Sequence, residues 1–196
     1  VVAWTYQADN PLHSIGFDNR AALRTMADHV IGLGHRQLGF ISAPQATNDR
    51  ARERVLGAKD ALEAHGLNAN ALSICETNYS ISNGADAFAT LLSENPEITA
   101  VMCGNDVLAI GALKMAKKMG LRVPEDISIT GFDDIELATI AEPALTTMHV
   151  PHRQMGRHAA KYLADVILLK TQLPRPLALE TVYCERETLA APRASK

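Results

Sequence analysis

The sequence predicts an α/β protein with a doubly wound parallel sheet, and the central part of the chain supplies the main reasons. Residues 99–103 form a short apolar run, too short for a helix and rich enough in β-branched residues for a buried strand. The turn at Gly104, Asn105 and Asp106 leads into residues 107–119, which have helix-forming composition. A second apolar run follows at 127–130. The same alternation of strand and helix runs through most of the chain, as expected for a parallel sheet covered by helices.

The remaining elements are predicted from apolar spacing and from the Gly, Pro, Asn and Asp residues that separate them. Strands are predicted at residues 1–5, 14–17, 38–42, 71–75, 99–103, 127–130, 145–148 and 177–184. Helices are predicted at residues 20–33, from Asn48 or Asp49 to about residue 65, and at 80–93, 107–119, 135–140 and 151–169. The late helix, with Pro151 at its first position, indicates that the chain crosses between two lobes more than once.

The composition is that of an ordinary globular protein and excludes several functional classes. No apolar run approaches membrane-spanning length, so no membrane partner is expected. The 19 basic and 22 acidic residues give a net charge of -3, which does not favour direct DNA binding by this segment. Cys75, Cys103 and Cys184 are far apart and odd in number, which indicates free thiols in a reducing, cytoplasmic compartment.

The sequence carries no recognisable catalytic or cofactor motif. It has no G-x-S-x-G nucleophile elbow, no phosphate loop and no G-x-G-x-x-G after a strand. His35, His149 and His152 lack metal-ligand spacing with one another and with any cysteine, so solvated or hydrogen-bonded histidines are expected. We therefore expect neither an enzyme nor a bound cofactor or metal ion.

Polar residues follow both strands of the central unit. Asn105 lies between a strand and a helix, where it can cap the helix and also hydrogen-bond a ligand. Asp133 and Asp134 follow the next strand, and adjacent residues there usually point in opposite directions, so one of them is expected in a cleft. Ligands of open parallel sheets bind beyond the carboxyl ends of the strands. The sequence therefore predicts a ligand site at this edge.

Three arginines, Arg50, Arg52 and Arg54, crowd the start of the second predicted helix. The positive end of the helix dipole disfavours them there. One explanation is a solvated helix start in which Asp49 and Glu53 are their ion-pair partners. The other is that one arginine points into the cleft, where its planar set of donors would hold ligand hydroxyls or an anion.

The helix at 107–119 carries apolar residues on two sides. Val107 and Ile110 lie on the same side as Lys114, Lys117 and Lys118. The opposite side is apolar enough to pack on the sheet and consists of Leu108, Ala112, Met115, Ala116 and Met119. Val107 and Ile110 would therefore be exposed unless the chain segment at 135–140 or a second copy of the chain covers them. We expect a two-fold homodimer with this helix at its centre.

Several segments in combination resemble LacI/GalR-family transcriptional regulators. They are LGHR at 33–36, Asn105-Asp106, VPEDISI at 123–129, GFDD at 131–134, PALTT at 143–147 and Met155-Gly156. The resemblance covers nearly the whole chain and implies a periplasmic-binding-protein-like fold with two lobes. It also implies a small-molecule effector (a sugar, a sugar acid or a purine-like compound), a homodimer, and operator DNA contacted through an N-terminal domain that these residues do not include.

The resemblance also implies the residues that bind the effector, which are Arg54, Asp133, Asn105, Tyr79, Arg52, Thr5 and His152. Arg54 matches an arginine that holds sugar hydroxyls or a corepressor, and its replacement by Ala is expected to weaken binding while folding changes little. Tyr79 matches an aromatic residue that stacks on the ligand. Thr5 stands where many relatives have a ligand-contacting aspartate, and His152 stands where some have an aromatic wall.

The implied organisation has four parts: residues 1–17 in an N-terminal lobe, 18–150 in a C-terminal α/β lobe, 151–178 returning to the N-terminal lobe, and 179–196 closing the C-terminal lobe. The expected function is the ligand-sensing and dimerisation domain of a LacI/GalR-like transcriptional regulator, in which the effector controls operator affinity allosterically. The alternative with the same fold is a periplasmic sugar-binding protein of a transport system.

Overall fold

The computed structural model describes residues 2–3, 6, 14–169 and 176–193, and within them it confirms an α/β fold with parallel sheets. The strands are β1 (Val2–Ala3), β2 (Ser14–Gly16), β3 (Leu38–Ser42), β4 (Ser73–Glu76), β5 (Ala100–Cys103), β6 (Ser128–Thr130), β7 (Thr147–His149), β8 (Leu177–Ala178) and β9 (Val182–Cys184). The helices are α1 (Asn19–Gly32), α2 (Asp49–Ala64), α3 (Ile81–Glu94), α4 (Asp106–Lys118), α5 (Glu136–Ile140) and α6 (His152–Leu169). None of the described helices is both long and apolar enough to cross a bilayer.

The main sheet is parallel and has the strand order β4-β3-β5-β6. Helices α1 and α2 pack together on one face, and α3 and α4 pack together on the other. Strand β5 shows how the sheet separates two apolar layers: Ala100 and Met102 contact the first pair of helices, and Val101 and Cys103 contact the second. The strand order reverses direction between β3 and β5, so the loops after these strands flank the expected ligand position.

Two smaller sheets complete the described fold. Strands β1, β2 and β8 pair in parallel, whereas β7 and β9 are antiparallel. The prediction of a single strand at 177–184 is therefore wrong, because this segment pairs first with β2 and then with β7. The amide of Leu179 still donates to the carbonyl of Gly16 at 2.7 Å, and the chain changes sheets after it.

Side-chain caps and close helix packing fix the helices of the main sheet. Asn48 and Asn105 cap α2 and α4, and each accepts a hydrogen bond from the amide three residues further on, at 3.1 and 2.9 Å. Helices α3 and α4 approach closely because Gly84 and Gly111 face the partner helix, where a Cβ would collide with its backbone. The sequence predicted both caps, with Asn48 as one of two choices.

Three further expectations need correction. Strand β4 begins at Ser73, because Ala69–Ala71 form a short 3-10 turn. Pro151 precedes α6 and is not its first residue. Met119, just beyond the helix end, is 46% exposed and does not pack on the sheet, whereas Met115 is partly buried against the apolar layer of this face and also lines a groove beside α3.

Candidate functional site

Four connections meet at the carboxyl edge of the main sheet, and each brings a residue that the sequence singled out. Arg54 lies in the second turn of α2, which follows β3. Tyr79 follows β4, Asn105 follows β5, and Asp133 follows β6. Because parallel strands end at the same edge of a sheet, residues that are distant in sequence converge there.

Arg54 is held firmly within this group, with only 6% of its surface exposed. Its Nε donates to Asn19 Oδ1 at 2.8 Å, and its Nη1 donates to the carbonyl of Gly104 at 2.5 Å. The guanidinium carbon lies 3.9 Å from the ring centroid of Phe132, a cation–π contact. Burial lowers the pKa of Arg54, and the charge of Asp133 opposes that shift. An arginine nevertheless stays charged in a protein, so the site holds a fixed positive charge.

Asp133 faces this arginine. Its Oδ1 lies 3.7 Å from Nη2 of Arg54, which is an ion-pair distance but longer than a direct hydrogen bond. Burial raises the pKa of Asp133, and the charges of Arg54, His152 and Arg50 act in the opposite direction. Its backbone φ of 114° is unusual for a residue other than glycine, so the surrounding structure must hold this conformation.

Asp134 points away from Arg54 and has its own partners. Its Oδ1 accepts a hydrogen bond from Arg186 Nη2 at 2.5 Å, and its Oδ2 accepts one from His149 Nδ1 at 2.9 Å. Burial opposes ionisation of Asp134, but the hydrogen bonds from Arg186 and His149 outweigh it and lower its pKa. The two adjacent carboxylates thus diverge, and Asp133 is the one that faces Arg54.

This combination of fold and site agrees with a known family. Residues 27–189 match the family described as a periplasmic binding protein-like domain. The chain belongs to that family.

Individual relatives of this periplasmic binding protein-like domain are transcription regulators. The chain is 35% identical over 162 residues to the HTH-type transcriptional repressor PurR of Escherichia coli O1:K1, covering 83% of this chain and 47% of PurR. It is 33% identical over 174 residues to the HTH-type transcriptional regulator CelR of Thermobifida fusca, covering 89% of this chain and 51% of CelR. The chain therefore spans about half the length of these curated relatives.

A solved structure agrees with both relatives. A LacI family transcriptional regulator from Enterococcus faecium with bound ribose matches with a TM-score of 0.86 at 27% identity, covering 92% of this chain and 66% of that chain. The predicted resemblance to LacI-family regulators is confirmed. These relatives favour a regulator over a transport protein.

The three arginines of α2 have different surroundings in this periplasmic binding protein-like domain. Arg50 Nε lies 4.0 Å from Asp49 Oδ1, and the charge of Arg50 acts on Arg54. Arg52 is exposed, and its Nη1 donates to the carbonyl of Gln45 at 3.1 Å. The first explanation holds in part, because Arg50 pairs with Asp49 whereas Arg52 donates to a carbonyl and not to Glu53. Arg54 is the arginine that is buried beside Asp133, and its role in ligand binding stays a prediction.

The other predicted residues lie at different distances from the Arg54–Asp133 pair. Tyr79 is 42% exposed and close enough to Arg54 to act on the pKa of its guanidinium, in the raising direction. His152, the first residue of α6, acts electrostatically on Asp133. Asn105 is half-buried beside the site and caps α4. Thr5 lies outside the described residues.

Asp106 is a buried site residue that the sequence placed in the turn after β5 but did not include among the effector-binding residues. It is fully inaccessible to solvent. The hydroxyl of Thr147 donates to its Oδ1 at 2.6 Å, and the amide of Ile135 donates to its Oδ2 at 2.9 Å. Burial, together with the charges of Asp133 and Asp134, raises the pKa of Asp106 to about 7. An aspartate in the first turn of a helix is ordinary, so nothing in the local sequence marks this one.

A cavity of about 350 Å³ adjoins Asp134 and His152 where the chain passes from β7 into α6. His149 and Arg153 also line it. In the part of the chain that the structure describes, no cluster of three or more His, Cys, Asp or Glu residues could hold a metal ion.

Helix α4 presents a partly apolar surface near this site. Val107 and Ile110 are half-buried, and α5 packs beside α4, so part of this surface is covered from within the chain. A groove of about 360 Å³ remains between the two helices, where Ile110 and Lys114 face Leu137 and Ile140. Leu137 is 40% exposed and Ile140 is 67% exposed, so apolar surface remains accessible.

Proposed function

We propose that this chain is the effector-binding and dimerisation part of a cytoplasmic, LacI-type transcription regulator, in which a small polar metabolite changes operator affinity. The observation that carries the proposal is the opposed pair of Arg54 and Asp133 at the carboxyl edge of the main sheet. The regulators among its relatives support this role. Operator contacts are assigned to a DNA-binding domain that these residues do not include.

The Arg54–Asp133 pair suits a ligand with several hydroxyl groups. A guanidinium donates hydrogen bonds and a carboxylate accepts them, whereas each sugar hydroxyl does both. Neighbouring hydroxyls can therefore bridge the two side chains, which are 3.7 Å apart and not joined by a direct hydrogen bond. The exposed ring of Tyr79 offers a face for the apolar side of a sugar. The ribose bound by the Enterococcus faecium relative supports a sugar as the first candidate.

Sugar acids and purine-like compounds are the two other ligand classes to compare with sugars. A sugar acid would place its carboxylate near Arg54 and Arg50, but Asp133 would repel it. A purine-like compound would use stacking on Tyr79 more than the charged pair. A sugar uses both charged partners without repulsion, and we therefore rank it first.

A thermal-shift screen of the purified chain separates these classes. We expect ribose or another sugar to raise the unfolding midpoint more than a sugar acid or a purine base, because a ligand that binds the folded state stabilises it by mass action. Asp133→Asn preserves size but removes the charged acceptor, so it should weaken binding of that sugar about tenfold or more.

The matched control is Asp126→Asn, which changes a carboxylate paired with Arg122 in the exposed turn before β6. This variant should bind sugar as the wild type does. A chain that responds to none of the three ligand classes, or an Asp133→Asn variant with wild-type affinity, would contradict the proposed site.

The proposal includes a two-fold homodimer formed through α4 and α5. The apolar groove around Ile110, Leu137 and Ile140 supports it, because monomers rarely leave such surface uncovered at several neighbouring positions. Ile110→Asp would place an unpaired charge in the contact and should give monomers in sedimentation velocity.

Ile167→Asp is the control for the dimer experiment, because Ile167 lies on α6 and is 71% exposed. It should leave the dimer intact. A wild type that is monomeric at micromolar concentration would contradict the proposed dimer through α4.

The transport alternative is distinguished at the level of the gene. A helix-turn-helix encoded upstream of this segment supports the regulator, and a signal peptide supports the transport protein. The chain alone, with a net charge of -3, should not shift operator DNA at physiological salt. Specific gel-shift binding by this chain would contradict the assignment of operator contacts to another domain.

A further inference from the structure

The buried carboxylate of Asp106 lies between the proposed effector site and the α4–α5 surface. It belongs to the first turn of α4 and touches two other parts of the chain. Its Oδ1 accepts from Thr147 on β7 at 2.6 Å, and its Oδ2 accepts from the amide of Ile135 at 2.9 Å. Three segments are therefore joined at one side chain.

The loop at 131–135 is shaped around this carboxylate. A Cβ at Gly131 would overlap Asp106 Oδ1 and Leu145 Cδ2, so a larger residue there would force these two side chains to shift. The amide of Asp106 also donates to the carbonyl of Phe132 at 2.8 Å. Asp133 and Asp134 follow with φ values of 114° and 57°, and such conformations persist only where neighbouring contacts enforce them.

The two halves of the loop have different supports. On one side, the amides of Gly131 and Asp133 donate to the carbonyls of Thr146 and Met148 at 2.9 and 3.0 Å, which holds the first half against β7. On the other side, Asp106 binds the amide of Ile135. Arg186 and His149 hold the side chain of Asp134 in this second half, and the carboxylate of Asp106 holds the backbone at Ile135.

Ile135 also sets the start of α5. It is the N-cap residue of this helix, and its side chain makes no capping hydrogen bond. The bond from its amide to Asp106 therefore fixes where α5 begins relative to α4. These two helices line the apolar groove that contains Ile110 and Leu137.

We propose that Asp106 is a positioning residue that couples the effector site to the α4–α5 surface: its carboxylate holds the end of the loop at 131–135, directly after Asp133 and Asp134, so that α5 starts beside α4 and the loop that carries Asp133 stays closed. The functional meaning of the two regions rests on the proposed function. The positioning itself is independent of any ligand and is tested without one.

Amide hydrogen exchange of the purified chain measures this positioning directly. Asp106→Ala removes both acceptors, so the amide of Ile135 should exchange about tenfold faster or more than in the wild type, relative to the amides of β5. A general loss of stability would instead accelerate exchange in β5 and in the loop together. The informative quantity is therefore the exchange ratio, which is the exchange rate of the Ile135 amide divided by that of the β5 amides.

Two variants separate the roles of the two hydrogen bonds. In Asp106→Asn the amide oxygen can accept from Ile135 while the amide nitrogen donates to the Thr147 hydroxyl, which is both donor and acceptor, so protection of Ile135 should be restored. Thr147→Val removes the other bond and should also leave Ile135 protected. The proposal is overturned if Asp106→Ala leaves the exchange ratio unchanged, or if Asp106→Asn behaves like Asp106→Ala.

Gly131→Ala disturbs the contact between the Asp106 carboxylate and the loop from the loop side. This variant tests the proposal if Asp106→Ala does not fold. Its added Cβ should push the carboxylate away from Ile135 and accelerate exchange there. Wild-type exchange at Ile135 in this variant would overturn the proposal.

Titration with ribose as the probe adds the link to function. Affinity should fall about tenfold in Asp106→Ala and stay near the wild-type value in Thr147→Val, because only the first variant frees the end of the loop that carries Asp133. Wild-type ribose affinity in Asp106→Ala would disprove the link to the effector site. If the wild type does not bind ribose, the exchange ratio still decides whether Asp106 positions the loop.

Discussion

His35 and Arg54 are both buried, but they lie at opposite edges of the main sheet and differ in how completely their polar atoms are used. His35 precedes β3 and is 1% exposed, and its two ring nitrogens lie 2.8 Å from Thr99 Oγ1 and 2.8 Å from the carbonyl of Ala190. A neutral ring satisfies both contacts, donating to the carbonyl and accepting from the hydroxyl. Burial lowers the pKa of His35, which favours that neutral form.

Arg54 is nearly as buried, but one side of its guanidinium has a looser partner. Nε and Nη1 make short hydrogen bonds, while Nη2 faces Asp133 at 3.7 Å. Burial alone therefore does not identify a functional residue. A buried group whose bonds are all made within the protein belongs to the framework, whereas a buried charge with a loosely held partner of opposite sign can bind a ligand.

The largest effect is expected for Arg54→Ala. It should weaken sugar binding by about 2 kcal/mol or more, because ligand hydroxyls lose a charged donor. It should also lower the free energy of unfolding by about 3 kcal/mol, because Asp133, Asn19 and the Gly104 carbonyl are left without it. The buried contacts of Arg54 thus lead us to expect a larger effect on folding than the sequence suggested. Calorimetry and urea denaturation measure the two effects, and a variant of wild-type stability would show that the buried contacts of Arg54 do not contribute to folding.

His35→Ala should affect stability without affecting binding. Loss of two buried hydrogen bonds and of ring volume should lower the free energy of unfolding by about 2 kcal/mol, with sugar affinity unchanged. The wild type should also lose stability as the pH falls below about 6.5, because the unfolded chain then binds a proton that the folded ring resists. Urea denaturation across pH should show a weaker acid dependence in the variant. A changed sugar affinity would contradict the distinction between the two edges.

Asp106 is intermediate between His35 and Arg54 and gives a smaller, pH-dependent effect. Its oxygens are hydrogen-bonded, as the ring nitrogens of His35 are, but its charge is buried near two other carboxylates. Its folded pKa of about 7 lies well above the usual value for aspartate, so the folded state holds a proton that the unfolded chain releases near pH 4. Its contribution to stability is thus full below pH 4 and is lost as the pH rises to about 7.

The wild type should therefore lose stability relative to Asp106→Asn by up to about 1.4 kcal/mol per pH unit between pH 5 and pH 6, with the slope falling to about half of that near pH 7. Parallel urea denaturation of the two proteins isolates this contribution, since the other titrating groups are shared. Equal pH dependence in both proteins would show that Asp106 is ionised throughout the range and belongs with the fully satisfied groups.

Much of the fold follows from local sequence. The apolar runs, the caps at Asn48 and Asn105 and the stop signals after the helices predicted the order of elements and the carboxyl edge that carries the site. These features are predictable because a cap or a turn is decided by atoms within a few residues of one another. The change of pairing partner within residues 177–184 was not predictable from local sequence, because the choice between two sheet edges depends on where β2 and β7 lie in space.

The sequence by itself determined that polar residues follow the strands, that one of Asp133 and Asp134 would face a cleft, and that an arginine of α2 was a candidate to join it. Only the tertiary structure decided that Arg54 is buried over Phe132 while Arg52 turns to Gln45, and that Asp134 is taken by Arg186. It also revealed Asp106, whose partners Ile135 and Thr147 are distant in sequence. Side-chain direction and the burial of charge depend on contacts between segments that are far apart in the chain, and local composition does not encode those contacts.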